Sequence, residues 1–519
     1  MRATRGLLKG LNPVMALTAL STVFVFVVFG VTLPGQAEAL FGQLSSAIVA
    51  YFKWYYVAVV AFFLLFSIGL LLSRFGSLRL GDDDQKPEFS YFSWFSMLFG
   101  AGMGIGLVFW SIGEPILHFQ DNPFVTEGET REAAVTAMRL TYFHWGMHPW
   151  AIYAVVGLSL SFFSYRKKLP LSIRSALYPI IGERIYGPIG HTVDVLAVFG
   201  TLFGISTSLG LGVQQMNTGL NELFGVQISV GNQILLIGSI SVVATLSVVS
   251  GVGRGVRILS VFNLYMSFVV LAFFLIWGPT VYLLENYIQG IGDYLQHLVS
   301  LSFWTDAHTV QEPGWQADWT AFYWAWWIAW APFVGMFIAR ISRGRTIREF
   351  VLGVLFVPTL LAMLWLTVFG GTGLWLELFG PGGLVEAVNE DVTRALYFTV
   401  STIGHPPWVS TIMAAVVTLL IASYFITSSD SGTLVITTLL SLGDDEPPIR
   451  HRVVWGLGEG LVASVLLLAG GLAALQAAAI IAALPFSLIM LFMCFSLIKG
   501  LRDEQLMMHG AGTRNNPPL

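Results

Sequence analysis

The sequence predicts an all-α polytopic membrane protein, and three observations lead there. Hydrophobic residues make up 55% of the 519 positions and charged residues only 11%, whereas about a quarter of a soluble domain is charged. Mean hydropathy is +0.74, and apolar runs of about 20 residues, long enough to cross a bilayer, recur from end to end. The basic residues are also sorted. With twelve crossings and an inner N-terminus, every lysine and arginine falls on the inner side except Lys53, Arg131, Arg139 and Arg394. One span more or fewer would scramble that pattern. The single cysteine, Cys494, lies in an apolar run, which excludes both a disulfide framework and a cysteine metal site.

The predicted spans are 15–34, 52–73, 92–117, 135–164, 190–217, 231–250, 259–284, 319–340, 349–370, 408–440, 452–474 and 476–498. The first run, Met15 to Leu33, resembles a signal peptide, and small residues follow at Gly35 to Ala39. With so many spans behind it, it reads as a retained helix. The third span carries GAGMGIG (100–106) and then Gly113, Glu114 and Pro115. Alternating glycines permit unwinding that frees carbonyl oxygens for a cation at membrane depth. They also suit plain close helix packing.

The fourth span supplies Trp145, Trp150 and Tyr153 in HWGMHPWAIY, with Pro149 able to kink it. His144 and His148 have the spacing of a metal pair, but no third ligand is evident and no transition metal is expected. Outer residues 287–318 read as a connection with a short surface helix over Tyr294 to Phe303. The cytoplasmic link ARISRGRTIRE (339–349) is basic enough to hold anionic lipid headgroups. Residues 499–519 read as a short cytoplasmic tail.

The eighth span opens with WTAFYWAWWIAWAPF (319–333), which holds five of the 17 tryptophans. On a helix, Trp326, Trp330 and Phe333 share a face, with Trp327 a little further round. The chemical partner of such a wall is a cation too methylated to hydrogen-bond, held by ring quadrupoles. Trp319 and Trp324 read instead as interfacial residues. The tenth span contains ITSSDSGT (426–433), where Thr427 and Ser428 offer hydroxyl oxygens to a hard cation such as sodium. Asp430 reads as a hydrogen-bonded structural carboxylate.

Four blocks together resemble the signatures of the betaine/choline/carnitine transporters. They are AGMGIGLVFWSIGEP (101–115), HWGMHPWAIY (144–153), FYWAWWIAWAPFVGMFIARISRGRTIREF (322–350) and ITSSDS (426–431). The resemblance implies two leading helices (1–91), a five-helix repeat (92–284), the outer connection (285–318) and an inverted second repeat (319–498). It further implies alternating access, a homotrimer, and an inner-membrane location with both termini cytoplasmic. By likeness, Trp326, Trp327 and Trp330 face Trp145, Trp150 and Tyr153 around the substrate, with Phe333 below. Backbone amides at Gly102 and Gly104 would meet a substrate carboxylate.

One sodium site would combine carbonyls of Gly100, Met103 and Tyr424 with the hydroxyls of Thr427 and Ser428. A second would draw on Thr201. Ile205 stands where some members have another threonine, leaving Ser208 as the substitute. Gly106 stands where proton-coupled choline carriers typically have aspartate, so sodium is the coupling ion expected, with no cofactor. The expected function is sodium-coupled import of a small onium solute, foremost glycine betaine, for osmoprotection. Choline, carnitine and dimethylsulfoniopropionate are alternatives, and a channel or sensor is a weaker reading. No nucleic-acid partner is expected. An enzyme is not expected either, because the aromatic cluster has no nucleophile, general base or metal constellation.

Overall fold

The computed structural model describes residues 2–102, 104–250, 257–308, 314–444 and 446–514. Among these, eleven helices are long and apolar enough to cross a membrane, so the chain is a multi-pass membrane protein. The leading helices are α1 (Pro13–Thr32), α2 (Pro34–Leu72), α3 (Tyr91–Gly102), α4 (Ile105–Gln120), α5 (Arg131–Trp145), α6 (Met147–Ser161) and the short α7 (Tyr178–Ile181). Next come α8 (Pro188–Phe224), α9 (Val230–Ser250), α10 (Arg257–Trp277), α11 (Thr280–Ser302), α12 (Phe322–Ile341) and α13 (Ile347–Phe379). The last are α14 (Leu384–Glu390), α15 (Ala395–Thr402), α16 (Pro407–Leu440), α17 (Ile449–Leu468) and α18 (Gly471–Arg514).

Helix ends follow local chemistry. The Asn12 side chain accepts from Met15 N–H ahead of Pro13, and Thr346 with Glu349 forms a reciprocal capping box on α13. Gly225, at φ 68, closes α8 in the left-handed region. The predicted third span is two helices, α3 and α4, neither a full crossing, with Gly104 extended between them. Met103 lies outside the described residues. The polar run ITSSDSGT, by contrast, remains helical within α16.

The surface helix expected over 294–303 is only the last part of α11. Pro279, which cannot donate to the preceding turn, ends α10 and opens α11 at Thr280. The expected tail does not leave the last span as a separate segment, because α18 continues to Arg514.

Burial sorts the helices into layers. In the most apolar window of 131–166 every residue is buried, and in that of 317–341 94% are, against 22% for α1 and 28% for α10. The first pair forms the centre, with α12 packed on α6 and α8, while α1 and α10 keep apolar faces outward. The segments predicted to be inner meet at one end. There Arg2 pairs with Asp444 at 2.5 Å, and Arg166 pairs with both Asp83 and Glu504 at 2.7 Å. Arg79 donates to Gly344 O at 2.8 Å. Lys168 also joins this end, bonding Asp82 and holding that carboxylate below its ordinary range.

Candidate functional site

A step of four residues advances a helix by one turn plus about 40°, so aromatic residues at that spacing form slowly winding columns. The α12 sequence builds two. Tyr323 stacks on Trp319 and on Trp327, with centroids 6.3 and 5.8 Å apart. Alongside, Phe322 stacks on Trp326 at 5.4 Å, and Trp326 meets Trp330 edge-on at 6.4 Å. Phe333 follows, 5.5 Å from Trp330.

Across from them, the fourth predicted span breaks into α5 and α6 at Gly146. A Cβ there would lie 2.5 Å from Tyr142 O and 2.8 Å from the Tyr294 hydroxyl, so only glycine fits. Pro149, three residues on, withholds the N–H that would have bridged the break. The carbonyl of His144, left open because α5 ends at Trp145, accepts from Trp327 Nε1 at 2.9 Å. Trp145 then stands edge-on to Trp327 at 4.8 Å, with Tyr153 at 6.5 Å from Trp327 and Trp150 at 5.5 Å from Tyr153. Trp330 is tied to α8 by its indole N–H, which donates to Gly204 O at 2.9 Å.

The rings are not equivalent. Trp326 is sandwiched between Phe322 and Trp327, the latter at 4.8 Å and 12° from parallel, and is 0% exposed. Its Cη2 lies 2.3 Å from where a Cβ on Gly106 would be, so the absence of a side chain at 106 admits this ring. Trp330, Trp145, Trp327, Trp150 and Tyr153 keep between 8% and 3% exposure, and Phe333 9%. These rings, unlike Trp326, keep some accessible surface. Gly104 lies beside Trp330, its notional Cβ 3.8 Å from that ring.

Behind the rings sits a buried polar cluster that the sequence reading passed over. Glu114 Oε2 accepts from Trp145 Nε1 at 2.7 Å and from the Tyr323 hydroxyl. Its Oε1 lies 2.7 Å from His144 Nδ1 and 3.4 Å from His118 Nε2. His144 Nε2 is 3.0 Å from Thr320 Oγ1. Glu114, His118 and His144 bring metal-ligating atoms within 4.8 Å of one another, but both ring nitrogens of His144 are already engaged. His148 points elsewhere, bonding Ser302 and stacking on Trp324 at 5.1 Å, so the two histidines do not converge. Trp324, read as interfacial, is instead buried against Phe143 and His148. The spacing of Glu114 and His118 in GEPILH placed an acid and a base on one helical face, and that signal was available.

In the predicted cation region, Thr427 Oγ1 lies 3.2 Å from Tyr424 O and accepts from Asn263 Nδ2 at 3.0 Å. Asn263, the lone amide within α10, is a further residue the sequence reading missed. Ser428 is barely exposed, and Gly100 is exposed on α3. On α8, Thr201 Oγ1 is fully buried with no hydrogen-bond partner, while Ser208 donates back to Gly204 O at 3.3 Å. That carbonyl is the one holding Trp330. Ile205 fills the space over Gly432, its Cδ1 2.0 Å from a notional Cβ there. Glu459 of α17 approaches the same point to 3.0 Å and accepts from Ser429 at 2.8 Å. Asp430 accepts from Ser247 at 2.6 Å through one oxygen, and the other is unpartnered.

Comparison with known proteins adds an independent line. A family model described as BCCT, betaine/carnitine/choline family transporter, matches residues 13–506. The chain is 44% identical over 502 residues to a probable glycine betaine transporter of Desulfitobacterium hafniense, covering 96% of this chain and 99% of that protein. It is 44% identical over 509 residues to a glycine betaine transporter of Acinetobacter baylyi, covering 98% of this chain and 76% of the relative. With the glycine betaine transporter OpuD of Bacillus subtilis the identity is 43% over 494 residues, 95% of this chain and 94% of that one.

Proposed function

The chain belongs to the betaine/carnitine/choline transporter family, and we propose that it is a secondary carrier importing a small onium osmolyte, foremost glycine betaine, with sodium. The observation that carries this reading is the ring cluster. Five indole or phenol rings from α5, α6 and α12 converge and keep a sliver of exposure, and such faces attract a methylated cation that has no hydrogen to donate. Proteins with this family's chemistry are carriers and not enzymes. No bond is made or broken, and the work comes from cations entering a negative interior, about 2.3 kcal/mol per charge per 100 mV.

In this reading Trp145, Trp150, Tyr153, Trp327 and Trp330 touch the trimethylammonium group, and Trp326 supports Trp327 from behind. Phe333 lies at the inner edge. Amides near Gly102 and Gly104 meet the substrate carboxylate. Thr427, Ser428 and the carbonyls of Tyr424, Gly100 and Met103 form one sodium site, oriented by Asn263, and Thr201 with Ser208 contributes to a second. α3 and α4 together make a broken twelfth crossing, and the helices after α2 form two inverted repeats of five. The termini are cytoplasmic in the inner membrane, anionic lipid contacts the basic inner face, and the assembly is a homotrimer.

The test is uptake into proteoliposomes with glycine betaine, choline, carnitine and a sulfonium analogue, each under a sodium gradient or a pH gradient alone. Betaine uptake driven by pH in sodium-free medium would overturn the coupling. Uptake of none of the four would overturn the substrate class.

A further inference from the structure

We propose that Glu114 is a positioning residue whose charge tunes how the ring cluster discriminates cationic from zwitterionic onium solutes. The inference rests on the onium reading of that cluster and deepens it. Glu114 is completely buried in α4, and among the described residues the basic groups within reach of it are the imidazoles of His118 and His144, with no lysine or arginine paired to it. An indole N–H can only donate, so the oxygen facing Trp145 acts as an acceptor. The Tyr323 hydroxyl donates to the same oxygen, and His144 Nδ1 meets the other. Two donors thus converge on one oxygen and an imidazole nitrogen faces the other, so a carboxylate here is hydrogen-bonded with no lysine or arginine beside it to supply a full counter-charge. Burying a charge in that condition is costly unless a cation completes it.

Both donors lead straight to the ring cluster. Trp145 stands 4.8 Å from Trp327 and Tyr323 5.8 Å from it. The carboxylate therefore does two things. It fixes the tilt of both rings, and its field reaches the cavity side of Trp145 through a medium of low dielectric, where charges act over longer distances than in water. A cation on the outer face of Trp145 or Trp327 is its missing partner. A zwitterion presents a positive and a negative end, so the same field helps one and opposes the other. Glu114 should consequently favour a cationic onium over a zwitterionic one by a factor that vanishes when its charge is removed.

The substitution Glu114→Gln keeps the shape. Its amide oxygen can accept from Trp145 and Tyr323 while its NH₂ faces His144, which reverses its tautomer and donates to Thr320 instead. Dissociation constants for choline and glycine betaine are measured by intrinsic fluorescence on the full-length protein in nanodiscs. The expected result is a loss of at least tenfold for choline and less than threefold for betaine. Glu114→Asp, which keeps the charge on a shorter arm, should retain the wild-type ratio of the two constants even where both weaken. A purely structural role predicts parallel losses for both ligands in both variants, and a ratio within twofold of wild type in Glu114→Gln would overturn the proposal. If the wild-type protein binds neither ligand, the onium reading itself fails, and this proposal with it.

Discussion

Replacing Trp327 by leucine removes a ring that four other rings touch. Trp145 lies 4.8 Å from it, Trp326 4.8 Å, Tyr323 5.8 Å and Tyr153 6.5 Å. A partly desolvated cation–π contact is worth about 2 kcal/mol, and 1.4 kcal/mol corresponds to tenfold, so betaine affinity should fall roughly thirtyfold. The natural control is Trp326→Leu. That ring is covered on both faces and 0% exposed, so its loss leaves a void; truncating such a ring to alanine costs about 3–5 kcal/mol of stability, and leucine should cost part of that. Its effect on affinity should be much smaller than its effect on thermal unfolding. Titration of purified protein with glycine betaine, alongside melting curves, separates the two. Betaine affinity within twofold of wild type for Trp327→Leu would refute the assignment of that ring, and a larger affinity loss for Trp326→Leu would reverse the roles given to the two residues.

Other outcomes follow from the same geometry. Thr427→Ala should raise the sodium concentration for half-maximal uptake, and Asn263→Ala, which removes the amide on that hydroxyl, should do so more weakly; unchanged sodium curves for both would place the site elsewhere. Gly106→Ala should disturb the site sterically, because its Cβ would meet Trp326 at 2.3 Å. Both betaine affinity and melting temperature should therefore drop, and a silent substitution would show that the ring yields freely. If two sodium ions are coupled, Ser208→Ala should weaken sodium dependence, read as charge moved per substrate in reconstituted vesicles. A stoichiometry of two that survives loss of both the Thr201 and Ser208 hydroxyls would exclude α8 as the second site.

The membrane class was legible because it depends on composition and on the sorting of arginine and lysine, which are summed along the chain and need no partner. The wall of indoles on α12 was legible for a related reason. A helix repeats its faces at fixed spacing, so Trp326, Trp330 and Phe333 could be placed on one side from their numbers alone. The same spacing also contained the two columns that run through Tyr323 and Phe322, although attention to tryptophan hid them.

What tertiary structure decided was which face of each ring is open. Trp326 and Trp327 are neighbours of identical chemistry, yet one is sealed by Phe322 and by the missing side chain at Gly106, and the other is not. Glu114 is the one carboxylate of α4 and Asn263 the one amide of α10, which marks each as unusual without saying what it holds. Their partners, Trp145, Tyr323 and His144 in one case and Thr427 in the other, lie between 30 and 209 residues away along the chain. Hydrogen bonds act over about 3 Å in space, and helical periodicity carries no information across that much sequence. Only the packing of α4, α5, α10, α12 and α16 brings those atoms together.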